Sequence, residues 1–314
     1  MFKSFLKYIL PKKIVNLILK IYIKASLFFS PFKTSQSFWS SNTVDSPKGG
    51  FNNVDDSQNH LKWRNSQYIG SEDNMKFSNS NNKIVLDYGC GPGNGIINIM
   101  NNAVPKKIFA VDVSQKAINL AEKRAKLHNL NVKFFKINEN QPIKIIRKNS
   151  IDIIKCDGVL HHIKNLDFVF KEFNRILKED GIINLMVYNK NSIWFYLHVG
   201  YELMIKRNLF PNKSDLEVFK LSTDGFQCPI SKCFTPSEFI ELCKKNNFNA
   251  KLVNVSISLF ELKKTKLLDE ALNSGNLKSS NKDFLKQIYF DKKRIPYFKK
   301  NIAGINAYYE LRKL

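Results

Sequence analysis

The sequence predicts an α/β fold, a doubly wound sheet domain entered through a basic amphipathic helix, and three observations carry that expectation. From Lys83 onward, short β-branched runs alternate with helical patterns, the texture of parallel strands joined by crossover helices. The first run, Val85-Leu86-Asp87-Tyr88, opens into a glycine-rich turn, Gly89-Cys90-Gly91-Pro92-Gly93, ahead of a helical pattern. The second, Ile108-Phe109-Ala110-Val111-Asp112-Val113, reaches an acid 19 residues after Gly93. With 314 residues, 43% hydrophobic and 25% charged, the chain has the composition of a folded domain with substantial additions. That composition excludes wholesale disorder, collagen-like repeats and polytopic membrane structure.

The first element is residues 1–33, which hold seven lysines and no acid. On a helix, Lys13, Asn16, Lys20 and Lys24 form a narrow polar stripe opposite a broad apolar face that includes Ile14, Leu17, Ile18, Ile21, Ile23, Phe28 and Phe29. Such a helix lies in a membrane interface or packs on the protein itself, since both bury the same face. Lys20 and Lys24 interrupt the run before it reaches the roughly 18 to 20 apolar residues of a spanning helix. They disfavour a cleaved signal peptide for the same reason.

Residues 34–82 are rich in Ser, Asn, Asp and Gln, with isolated aromatics at Phe38, Trp39, Phe51, Trp63, Tyr68 and Phe77. They read as an irregular arm, part of which packs over the next domain as a lid or as a helix near 60–77. The domain itself spans 83–314. Its expected strands are 84–88, 108–112, 132–136, 151–156 and 182–188, with helices at 95–102, 115–128, 139–147 and 165–178. The aromatic stretch Trp194, Phe195, Tyr196, Tyr201 and Phe210 marks a helical insertion within about 190–234. Thr235, Pro236 and Glu238 open a helix over 236–247. Segments 250–260 and 302–311 are the closing strands, and the basic, polar stretch 262–300 is a second insertion.

Lys and Arg number 50 against 27 Asp and Glu, a net charge of +23 that suits polyanionic surroundings such as anionic lipid, nucleic acid or acidic substrates. Compositional drift in a Lys-, Asn-, Ile- and Phe-rich chain is the alternative. Five cysteines at scattered positions, Cys90, Cys156, Cys228, Cys233 and Cys243, argue against a secreted disulfide framework and for a reducing, cytoplasmic compartment. No C-x-x-C pair or His at ligand spacing accompanies the last three, so no metal site is expected.

The chemistry concentrates at the glycine turn. Glycines let the backbone approach a ligand closely, although a lone G-x-G-x-G is weak evidence. Asp112 at the end of the second strand strengthens it, because a carboxylate there accepts hydrogen bonds from ribose hydroxyls. The pair points to an adenosine-containing cofactor. Asp87 would repel a dinucleotide pyrophosphate but hold an amino group, and Gly89, Gly91 and Gly93 lack the G-x-G-x-x-G spacing, so S-adenosylmethionine is favoured.

On these residues the sequence resembles the class I S-adenosylmethionine-dependent methyltransferases, over roughly 83–260. Residues 152–163, D-I-I-K-C-D-G-V-L-H-H-I, look like the fourth strand and the G-V-L-H-H segment of small-molecule members. Residues 168–184 look like the following helix, turn and fifth strand, and further likeness lies in 187–192, in Thr223-Asp224-Gly225 and in Phe38-Trp39. The resemblance implies a Rossmann-like seven-stranded sheet whose final strand pair is antiparallel. It implies that Asp87, Gly89, Gly91 and Gly93 hold the methionine part and Asp112 the ribose, with Cys90, Val113 and Cys156 alongside. Where family members often carry an acid near the adenine, this chain has Ile137, and Asn138 or Glu139 would take over the contact.

His161 and His162 follow the fourth strand, at the sheet edge where doubly wound folds bind ligands, and either could act as a base toward the acceptor. Packing is the alternative for both. Tyr188, Asn189 and Asp224 are further acceptor-side candidates. The implied function is methyl transfer to a small-molecule or lipid-associated acceptor by a cytoplasmic enzyme, peripheral at the inner membrane face through residues 1–33. A noncatalytic membrane-associated scaffold is the alternative from another class. Nucleic-acid methylation is disfavoured, because the Asn/Asp-Pro-Pro-aromatic segment is missing and Cys228-Pro229 lies after the fifth strand.

Overall fold

Alternation of β-branched runs with amphipathic ones produces the expected crossovers in the computed structural model, which describes residues 11–43, 47, 49–71 and 78–314. The expected N-terminal and pre-sheet helices extend in part over 1–10 and 72–77, which lie outside the described residues. In chain order the entry segment carries α1 (Lys12–Phe28), α2 (Ser35–Ser41), α3 (Val54–Ser66) and β1 (Tyr68–Ile69). The wound domain begins with β2 (Ile84–Tyr88), α4 (Asn94–Asn102), β3 (Lys107–Asp112), α5 (Gln115–Leu127) and β4 (Val132–Lys136). It continues with β5 (Ile151–Asp157), α6 (Leu166–Ile176) and β6 (Leu177–Tyr188).

The sheet has eight strands in the order β1-β7-β11-β6-β5-β2-β3-β4, where β7 is Phe248–Ser258 and β11 is Asn306–Lys313. Strands β2 to β6 run parallel, and β11 inserts antiparallel between β6 and β7. The seven expected strands are therefore all present. The eighth is the two-residue β1 from the entry arm, which pairs antiparallel with the edge of β7. From β2 the chain winds outward through β3 to β4 and then returns to β5 on the other side of β2, so the topological switch lies between β2 and β5. In open α/β sheets ligands bind beyond the strand ends at that switch.

The main core fills the space between sheet and helices with Leu86, Ile154, Phe170, Phe173, Leu185 and Phe248. Helix α6 has its apolar residues at i, i+3, i+4 and i+7 (Leu166, Val169, Phe170, Phe173), which is why it buries one face here. Segment 139–147, expected as a helix, is a string of turns instead. Its backbone is taken up by side chains of α6: Glu172 accepts from the Ile143 N–H at 2.7 Å, and Arg175 donates to the Ile146 and Ile143 carbonyls at 3.0 and 3.3 Å. Those bonds replace a helical ladder, and Pro142 could not donate to one.

The first insertion forms a π-helix, Trp194–Lys206, which packs on α7 (Asp215–Thr223). Helix α8 (Pro236–Lys245) starts with the capping box formed by Thr235 and Glu238. The second insertion supplies short helices and the strands β8 (Ile288–Phe290), β9 (Pro296–Phe298) and β10 (Asn301–Ile302), which form a three-stranded sheet in the order β10-β9-β8. Helix α1 packs one face on the first insertion, where Ile23 joins Phe195, Val199 and Phe219 in a second cluster. Among the described residues no helix is long and apolar enough to cross a membrane.

Candidate active site

Beyond the carboxyl ends of β2, β3 and β5 lies a cavity of about 270 Å³. The glycine turn forms its floor. Gly91 adopts φ +51, favoured in glycine, and a Cβ there would meet nothing within 4 Å, so its backbone lies open to the cavity. Gly89 and Cys90 line the cavity as well, whereas Gly93 sits behind it as the N-cap of α4.

Asp87, the penultimate residue of β2, lies under the turn and is 5% exposed. Among the described residues no donor reaches its Oδ2. Gly95 leaves room for it, since a Cβ there would lie 2.8 Å from that oxygen. Burial, and secondarily the charge of Asp157, pushes the Asp87 carboxyl up to about 7, against a smaller downward pull from Lys155. Asp112, at the end of β3, accepts from the Gly91 N–H at 2.9 Å and from the Ser114 N–H at 2.8 Å. Burial raises its pKa and these backbone donors offset part of the rise.

Val113, Ile137, Asn138 and Glu139 line the side beyond β3 and β4. Glu139 accepts from the Gln36 backbone N–H at 2.6 Å, and the Gln36 amide donates to Asn138 Oδ1 at 3.4 Å. Both expected adenine-side residues therefore meet α2, which lies across the cavity mouth. The Ser35 hydroxyl donates to the His162 carbonyl at 2.6 Å, and the Trp39 ring lies 4.7 Å from the His162 ring. Helix α3 is tied to the glycine-turn side through Arg124, which donates to Ser57 Oγ at 2.8 Å and to Asn94 Oδ1 at 2.6 Å.

The two histidines separate. His162 lines the cavity, and His161 does not. His161 is fully buried, stacks on Tyr188 at 3.7 Å and has no hydrogen-bond partner among the described residues for either ring nitrogen. Burial holds its pKa well below the ordinary value, so it is an uncharged packing residue. His162 Nδ1 stands 2.7 Å from the Ile230 carbonyl, which only accepts, so Nδ1 carries the proton and Nε2 keeps a lone pair. Nε2 lies 3.8 Å from Asp224 Oδ1. Asp224 is held by Tyr188, whose hydroxyl donates at 2.8 Å, and by the Ser231 hydroxyl at 2.7 Å. Burial lowers the His162 pKa, while Asp224 and the Ile230 carbonyl oppose that shift.

Cys156, expected beside the cofactor, is fully buried in the main core and does not line the cavity. Asn189 is also buried, with its amide donating to the Asn191 and Gly304 carbonyls. His162, Asp224 and Cys228 bring three potential metal donors within 4.8 Å of one another. The Cys228 thiol and His162 Nδ1 both point at the Ile230 carbonyl, an arrangement that a hydrogen-bonded loop explains without an ion. Arg64, Tyr68, Asp157, Asn306 and Tyr308 also line the cavity and were not expected from the sequence. Asp157, the last residue of β5, carries a local signal in being a strand-end acid; Asn306 and Tyr308 come from the last strand and carry none.

The family described as a methyltransferase domain matches residues 79–275, well over half of the chain. Among curated proteins, the ubiquinone biosynthesis O-methyltransferase of Pelagibacter ubique (strain HTCC1062) is 27% identical over 168 residues, 53% of this chain and 62% of that protein. The protein of the same name from Glaesserella parasuis serovar 5 (strain SH0165) is 26% identical over 188 residues, 59% of this chain and 71% of that one. The matched region thus spans less than two thirds of the Pelagibacter protein. A solved S-adenosylmethionine-dependent methyltransferase from Archaeoglobus fulgidus gives a TM-score of 0.49 at 13% identity, covering 81% of this chain and 94% of the other. The matched domain, the strand order and the Asp87, glycine-turn and Asp112 constellation agree, and the chain belongs to the class I S-adenosylmethionine-dependent methyltransferases.

Proposed function

We propose that this protein transfers the methyl group of S-adenosylmethionine to a hydroxyl of a small-molecule or lipid-associated acceptor. The observation that carries the reading is His162, a buried imidazole among the residues lining the cavity that Asp87 and Asp112 also line, with its Nδ1 held by the Ile230 carbonyl so that Nε2 keeps its lone pair. The cofactor, when bound, supplies an electrophilic sulfonium methyl. The residues present fit it: the Asp87 oxygen that no donor reaches among the described residues suits a cationic amino group, and the open backbone of Gly91, flanked by Gly89 and Cys90, suits close approach. Asp112 retains lone pairs for ribose hydroxyls beyond those taken by backbone N–H groups, and Val113, Ile137 and Asn138 would flank the adenine.

On the acceptor side, a hydroxyl is a weak nucleophile until its proton leaves, and His162 Nε2 is the group to take it. Asp224 would then face a developing imidazolium and favour it. The names of the Pelagibacter and Glaesserella relatives support an oxygen acceptor. Residues 1–33, with their lysines and apolar face, support a cytoplasmic enzyme at the inner face of a membrane. Calorimetry with S-adenosylhomocysteine tests the cofactor half: micromolar binding is expected for the wild type and its loss for Asp112→Ala. Absence of binding to the wild type refutes the proposal and leaves a noncatalytic scaffold.

A further inference from the structure

We infer that α1 is a docking surface for an anionic lipid bilayer, and that the same bilayer delivers the acceptor. The helix has two apolar faces. One is used inside the protein: Ile23 is 4% exposed against the first insertion, and Asn16 exchanges hydrogen bonds with Arg207. The other is outward, where Ile14, Ile21 and Phe28 recur every seven residues with Leu17 beside them. Leu17, Ile21 and Phe28 are 58%, 62% and 82% exposed. Phe29, just past the helix, is 73% exposed.

Charge selects the occupant. Lys13, Lys20 and Lys24 form a stripe along one border of the outward face, and no acid occurs anywhere in residues 1–33. A second copy of this chain packed face to face would set two lysine borders together with no helical acid to pair them. A polyanion in water would satisfy the lysines but leave the apolar face wet. An anionic bilayer satisfies both, with the apolar face among the acyl chains and the lysines at the headgroups.

The helix is also joined to the loop that packs behind His162. Tyr22 packs on Phe226 with ring centroids 6.0 Å apart, and the Gln227 amide donates to the Ser26 carbonyl at 3.4 Å. Phe226 and Gln227 belong to the 224–231 loop, which supplies Asp224, Ile230 and Ser231 around His162. After the helix, Phe32 meets Phe38, Phe38 meets Trp39 and Trp39 meets His162, with centroids 5.3, 4.9 and 4.7 Å apart. A chain of aromatic contacts thus runs from Phe32, four residues past the end of α1, to the cavity. It suits an amphiphile whose apolar part stays in the bilayer while its hydroxyl reaches His162. The acceptor class rests on the proposed methyl transfer; the docking does not.

Flotation of the full chain with vesicles tests the docking, using phosphatidylcholine alone and phosphatidylcholine with phosphatidylglycerol. Binding is expected with the anionic vesicles, with at least a tenfold loss in a Leu17→Ser, Ile21→Ser, Phe28→Ser variant. Lys20→Ser with Lys24→Ser should remove the preference for phosphatidylglycerol, and rising salt should weaken the wild type. All three substituted apolar side chains point outward, so circular dichroism and S-adenosylhomocysteine binding should match the wild type in the apolar variant. Equal flotation of the wild type and that variant overturns the docking, as does a wild-type dimer that the variant abolishes without vesicles. For delivery, labelled S-adenosylmethionine is mixed with enzyme and vesicles of total bacterial lipid. Label in the organic phase is expected, and label confined to a water-soluble product overturns delivery while docking stands. Failure to bind S-adenosylhomocysteine at all refutes the methyl-transfer reading and leaves the flotation result independent.

Discussion

The carboxyl group of Asp87 should make cofactor binding release a proton. Its pKa stands near 7 instead of 3.8 because burial penalises the charged form, and Asp157 adds to the effect. Below that value the cofactor-free protein holds the proton, whereas pairing with a cationic amino group needs the carboxylate. Affinity should therefore follow the ionised fraction, which is roughly 3% at about pH 5.5 and roughly half at about pH 7. The ratio is about 16-fold, or about 1.6 kcal/mol, with binding tighter at the higher pH. The α-amino group of the ligand, with a pKa of roughly 7.7 to 8, stays largely charged across the window and does not mask the change. Calorimetry with S-adenosylhomocysteine in buffers of different ionisation enthalpy reads both quantities. It should show nearly one proton released per site at the lower pH and about half a proton at the higher. Asp87→Asn should bind more weakly and lose most of the dependence, and any remainder belongs to Asp112, whose pKa is also raised. Wild-type affinities within twofold at the two pH values, with no proton released, would refute the role given to Asp87.

Two further substitutions test the acceptor side and the support behind the site. Asp224→Asn removes a carboxylate 3.8 Å from His162 Nε2, so the imidazole should lose its proton at lower pH. Nuclear magnetic resonance titration of the five histidines, with His162 assigned through His162→Gln, reads that shift, and an unmoved midpoint counts against Asp224 as its partner. Arg175→Ala strips donors from the Ile143 and Ile146 carbonyls and leaves Glu172 without its guanidinium. Urea unfolding should show a loss of about 2 to 3 kcal/mol, and a loss below about 0.5 kcal/mol would mean that the 139–147 turns hold themselves.

The cavity floor at the glycine turn was legible because its determinants are local. A strand-end acid, a glycine turn and a second strand-end acid lie within 26 residues, and backbone geometry alone brings them together. The surroundings of His162 depend on distant partners. Nothing in the dipeptide His161-His162 says which ring faces the ligand. Ile230, 68 residues away, fixes the His162 ring through Nδ1, while Tyr188 covers the other. Segment 139–147 shows the same limit, since its turns are stabilised by Glu172 and Arg175 across 29 residues or more. In α1, periodicity revealed the amphipathic helix but offered packing and membrane contact as alternatives for one face. The structure divides them between two. Ile23 lies on the inner side and Ile21 and Phe28 on the outer, so burying the inward stripe does not remove the surface available to lipid. That division matters for function, because the inward stripe holds the helix beside the loop that positions His162 while the outward stripe stays open to a partner. A helix with only one apolar face could pack on the first insertion or meet a partner, but it could not do both at once.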